Sequence, residues 1–140
     1  MAPLIVFLDA NVLFSAALGG PAFELIWELA KRERVRLVTS TYCRIEAEAN
    51  IERKRPRSAA QLARLLDDVE PAPSPTARQS ASARDLVPEK DAPVLTAALA
   101  AGAAVLITGD IKHFGPLMER DDLPIRVRSP RAFLLEGENE

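Results

Sequence analysis

Leu4-Ile5-Val6-Phe7-Leu8-Asp9 is an unbroken apolar run with β-branched members that ends on a carboxylate. A strand with one wet face alternates apolar and polar residues. One that does not alternate must be covered on both faces, which is the condition of a strand inside a parallel sheet. The run is therefore expected to be the central strand, with Asp9 at its carboxyl end.

Working outward, Arg34-Val35-Arg36-Leu37-Val38 and Ala104-Val105-Leu106-Ile107-Thr108 read as further strands, Ile125-Arg126-Val127 as a last one, and Val69 as the place for an edge strand. Helical segments lie between them. Residues 10–18 form a short helix that Gly19-Gly20 breaks, and Pro21 suits the first turn of the next, which carries Phe23, Ile26, Trp27 and Ala30 at helical spacing. Ser40 or Thr41 caps a helix to about residue 54, ended by Pro56. Further helices are expected over 58–68, 76–86 and 92–101, the last rich in alanine and closed by Gly102. Residues 70–75 read as a connection and 88–91 as a loop; helical turns follow Asp110 and Ser129-Pro130. Strands alternating with helices imply an α/β fold of three layers, a mostly parallel central sheet flanked by helices. Such sheets carry function at the carboxyl ends of their strands.

The 140 residues allow one domain, expected over 1–136 with a polar tail over 137–140. The apolar run Leu4–Leu8 is shorter than a membrane span or a signal-peptide core, so a cytoplasmic protein with no membrane partner is expected. Cys43 is the only cysteine and His113 the only histidine, which leaves oxygen as the donor for any bound metal. A formal net charge of −2 argues against coating nucleic acid by bulk electrostatics, while a local basic patch stays compatible.

Asp9 follows the first strand, and Asp110 follows the strand ending at Thr108, so both carboxylates should emerge on one sheet edge. Asp91 opens the alanine-rich helix, which must run back to feed that strand, and belongs to the same edge. Each aspartate alone is explained as an N-cap. Three together repel one another, and a counter-ion is the economical remedy. On the capped helix, Arg44, Glu48 and Glu52 form a solvated stripe, whereas Glu46 falls among Tyr42, Cys43, Ala49 and Asn50 on the side expected to be buried. A partly exposed glutamate at the helix border is the bland alternative.

In order and spacing, Phe7-Leu8-Asp9-Ala10-Asn11-Val12, Glu46 six residues after Ser40, Lys90-Asp91-Ala92-Pro93, and Thr108-Gly109-Asp110-Ile111-Lys112-His113-Phe114 resemble the PIN domain, the nuclease fold of VapC-type toxins. The resemblance runs from Leu4 to about Leu135. It implies a PIN-like fold and an endoribonuclease in which Asp9, Glu46, Asp91 and Asp110 bind Mg²⁺ or Mn²⁺, supported by Asn11 and Thr108. It further implies an RNA substrate cut to a 5′-phosphate and a 3′-hydroxyl, a cognate antitoxin, and a homodimer. Hard cations suit such an all-carboxylate set. Many members carry a further acid where this chain has Lys112, which puts a second metal in doubt.

Arg53, Lys54, Arg55 and Arg57, with Lys112, are candidates to grip phosphate, although charge at a helix end is more often solvated. Trp27 suits a core or dimer contact, Cys43 an inert buried thiol, and His113 the surface. The competing reading is a non-catalytic PIN-like module binding RNA or protein. A metal-dependent phosphatase would want a second aspartate where Asn11 stands.

Overall fold

The structure is a computed structural model that describes residues 2–87 and 92–138. The expected loop over 88–91, Asp91 included, lies outside the described residues. Among the described residues, five strands form one sheet: β1 (Leu4–Leu8), β2 (Val35–Thr39), β3 (Val69–Pro71), β4 (Val105–Ile107) and β5 (Arg126–Arg128), in the order β3-β2-β1-β4-β5. Every pairing in it is parallel. β1 is central, as its unbroken apolar run requires, and Val6, Phe7 and Leu8 are fully buried.

The helices are α1 (Ala10–Leu18), α2 (Pro21–Lys31), α3 (Thr41–Lys54), α4 (Ala59–Leu66), α5 (Ala77–Arg84), α6 (Ala92–Ala100), α7 (Ile111–Met118) and α8 (Pro130–Glu138). α1 packs on α3 and α4, α5 on α6, and α2 on α8. The turn into α2 uses Gly19 and Gly20 at φ 96° and 141°, a region that side chains with a Cβ rarely enter, before Pro21 starts the helix. Trp27 is a core residue; its indole N–H donates to the Leu65 carbonyl at 3.0 Å and ties α2 to α4. α6 buries Ala92, Val94, Leu95, Thr96, Ala97 and Ala98, so its small side chains let it sit close against its neighbours.

Element boundaries differ from expectation by a residue or two at several ends, and three of the differences have a clear physical reason. β2 starts and ends one residue later than 34–38, because Arg34 uses its N–H to close the turn onto Leu29. The helix expected over 58–68 is split into a 3₁₀ turn at Pro56–Ser58 and α4, since Pro56 fixes the entry to that turn. β4 stops at Ile107, and Thr108 turns its side chain toward Asp9 instead of extending the strand.

The chain builds outward from β1 to β2 and β3, then returns to place β4 on the other side of β1. Where strand order reverses, the connections leave in opposite directions and a crevice opens beyond the carboxyl ends. That crevice lies above β1 and β4.

Candidate active site

Asp9 and Asp110 both leave the ends of those two strands. Asp9 caps α1, with Oδ1 accepting from the Ala10 N–H at 2.7 Å, and Asp110 caps α7, with Oδ1 accepting from the His113 N–H at 3.1 Å. Capping and clustering are therefore compatible, because both helices start at the same crevice. Asp9 is nearly buried at 6% exposure.

Thr108 and Asn11 fix the Asp9 carboxylate from the side. The fully buried Thr108 hydroxyl donates to Asp9 Oδ2 at 2.7 Å, and the Asn11 amide reaches the same oxygen at 3.2 Å. Thr108 Oγ in turn accepts from the Asp110 N–H at 3.1 Å, while Asn11 Oδ1 accepts from the Gly109 N–H at 2.8 Å. The supporting pair expected from the sequence thus bridges the two strand ends. Asn11, at the position where a phosphatase would carry its second aspartate, is committed to holding the Thr108–Asp110 turn.

Burial is the main force on the Asp9 carboxyl and holds its pKa above the ordinary aspartate value; the Thr108 and Ala10 hydrogen bonds oppose this. Glu46 and Asp110 push in the same direction as burial through like-charge repulsion. Below Asp9, the buried Cys43 thiol lies 3.9 Å from Oδ1, and burial pushes its pKa up to about 12. It is the inert thiol expected.

Asp9, Asn11 and Asp110 line a cavity of about 390 Å³ with Phe14, Tyr42, Glu46, Asn50, Lys54 and His113 among its walls. Glu46 corrects the sequence reading: it is exposed, and the buried stripe of α3 is Cys43, Ala47 and Ile51. Tyr42, Glu46, Asn50 and Lys54 form the adjacent row, four residues apart, and face the cavity together. That recurrence was the available signal for Tyr42, Asn50 and Lys54. His113 is a second correction: it is half-buried rather than exposed, with Nδ1 2.8 Å from Asp110 Oδ2. One turn of α7 separates the two, so the capping aspartate meets the ring as well as the backbone.

Of the basic candidates, Lys54 alone lines this cavity, its ammonium 5.9 Å from the Phe14 ring centre. Arg53, Arg55, Arg57 and Lys112 are exposed and stand outside it. Asp91 lies outside the described residues. Among the described residues, no three acidic, histidine or cysteine side chains form a metal cage by themselves. The donor chemistry still fits a hard divalent cation. Asp9, Glu46 and Asp110 are oxygen donors on one cavity, and Mg²⁺ keeps several of its waters, so few direct carboxylates suffice. No single helix among the described residues is long and apolar enough to cross a membrane.

No curated protein is significantly similar to the chain in sequence. Among solved structures, VapBC2 from Rickettsia felis bound to a DNA fragment from their promoter is similar, with TM-score 0.67 and 18% identity over 90% of this chain and 98% of that one. FitAcB from Neisseria gonorrhoeae gives TM-score 0.59 and 14% identity over 90% and 98%. At such identities the likeness concerns the fold. The family model of the PIN domain matches residues 5–112, from within β1 to the first turn of α7. Because that span takes in both aspartate-bearing strand ends and most of the sequence, the chain belongs to the PIN-domain family.

Proposed function

We propose that the protein is a cytoplasmic, metal-dependent endoribonuclease, the toxin of a toxin–antitoxin pair, working as one domain over residues 1–136 and as a homodimer. The observation that carries the reading is Asp9: a nearly buried carboxylate, fixed by three donors and crowded by Glu46 and Asp110 in a cavity open to substrate. Burial and the neighbouring like charges raise the cost of the ionised carboxylate, and a bound cation offsets that cost.

Asp9, Asp110 and Glu46 would hold Mg²⁺ or Mn²⁺, with Asp91 joining them by family resemblance. The ion's contribution is Lewis acidity, which activates water and neutralises charge on the phosphate. The chain's own residues orient and bind. Thr108 and Asn11 keep Asp9 in one rotamer, Asp110 is held by the first turn of α7, and Lys54 supplies positive charge from the α3 wall for the RNA backbone. Arg53, Arg55, Arg57 and Lys112 add a diffuse, salt-sensitive attraction around the rim. Likeness to VapBC2 and FitAcB supports a cognate antitoxin as partner.

Purified protein incubated with RNA in Mn²⁺ or Mg²⁺, with a chelator control, tests the assignment. Asp9→Asn and Asp110→Asn should each lose more than the roughly 100-fold that removing a ligand's supporting partner costs. Undiminished cleavage by both variants excludes this site. The second reading is a binding module without catalysis. Wild-type protein that binds RNA but leaves it intact with either ion would select it.

A further inference from the structure

A second cavity, of about 500 Å³, opens on the same sheet edge beyond the ends of β2 and β3. Its walls come from the start of α3, the 72–75 segment, α5 and the first turns of α6. Tyr42, 52% exposed, borders both this cavity and the acidic one. The two spaces are therefore neighbours along one edge, divided by a ring.

Thr96 marks the second cavity as built for a ligand. It lines the cavity at 4% exposure, and its hydroxyl has no hydrogen-bond partner among the described residues. Buried hydroxyls are almost always paired, and an orphan on a cavity wall signals a missing polar group. Arg84 stands on the same wall, exposed and with no side-chain hydrogen bond or ion pair among the described residues. Pro73, Pro75 and Pro93 add flat apolar surface.

We infer that this cavity takes the nucleotide next to the scissile phosphate of a single-stranded RNA, an inference that rests on the nuclease reading of the acidic site. Tyr42 packs its ring against the base, as aromatic side chains do with unstacked RNA. The Thr96 hydroxyl bonds a polar edge of that base or its sugar, and Arg84 meets the following phosphate. A cavity of this volume lies in the range of small-molecule sites, which suits one nucleotide rather than a helix or a loop. The acidic site would then cut between a nucleotide gripped here and one left outside.

Binding of a labelled, mixed-sequence single-stranded RNA to Asp9→Asn protein, which holds the strand uncut, gives the test. On that background Arg84→Gln should weaken binding about tenfold and lower the salt slope by about 1. Thr96→Val should weaken it about fivefold while melting no lower than its parent, because an unpaired buried hydroxyl is replaced by a methyl of equal size. Tyr42→Ala should weaken binding and Tyr42→Phe should not. Equal affinity and salt slope for Arg84→Gln, Thr96→Val and the parent overturns the inference. If the wild type cuts RNA while those variants bind normally, the subsite alone is lost. If the variants lose binding and the wild type cuts nothing in Mn²⁺, the subsite stands and the nuclease reading falls.

Discussion

Asp9 sets the behaviour expected at the scale of single residues. Its carboxyl pKa is raised in the folded protein, so the native state holds the proton more tightly than the unfolded chain does. The sign follows: the stabilising effect is complete below the unfolded pKa and is lost as pH rises through the raised folded value. Without divalent ions, wild-type melting temperature should therefore fall across this window, and the fall should be smaller in Asp9→Asn. At pH 7 the variant should melt higher than the wild type. A variant that melts lower contradicts the cost assigned to that buried charge. Thr108→Val and Asn11→Ala should each reduce cleavage by about 10- to 100-fold, as losses of a ligand's supporting partner do. Asp9 and Asp110 were legible in the sequence because their places follow from the ends of two apolar strands, whereas Asn11 and Thr108 were legible only through the family resemblance. The surroundings of Glu46 and His113 were not, since each depends on which row of a helix faces the crevice, a matter of packing rather than of pattern.

At the scale of elements, α3 carries one wall of the site and its start is set by Ser40. The Ser40 hydroxyl accepts from the Cys43 N–H at 3.0 Å, so Ser40→Ala should cost about 1 kcal/mol in denaturant unfolding. Gly102, at φ 68°, turns the chain from α6 into β4. An added Cβ there meets no atom within 4 Å, so the cost of Gly102→Ala is the backbone strain alone, about 1 kcal/mol. A neutral result would mean that this turn relaxes to negative φ. The strands and most helices could be read from apolar runs and caps. The division of 56–66 into a 3₁₀ turn and α4 could not, because Pro56 is equally at home ending one helix or opening another.

At the scale of the whole molecule, the sheet order β3-β2-β1-β4-β5 brings residues about a hundred positions apart onto one carboxyl edge. The parallel arrangement and the family resemblance were both legible, whereas the second cavity was not: its walls come from segments that meet only after the sheet has closed. If the acids hold an ion, Mn²⁺ should stabilise the folded protein by about 2.7 kcal/mol at a hundredfold excess over its dissociation constant, and Asp9→Asn should abolish that gain in a melting experiment. The most direct observation is a crystal of the protein soaked in Mn²⁺ and measured for anomalous scattering. A peak between the Asp9 and Asp110 carboxylates is the result expected. A fully soaked crystal with no peak there, and these two side chains unchanged, would contradict the account.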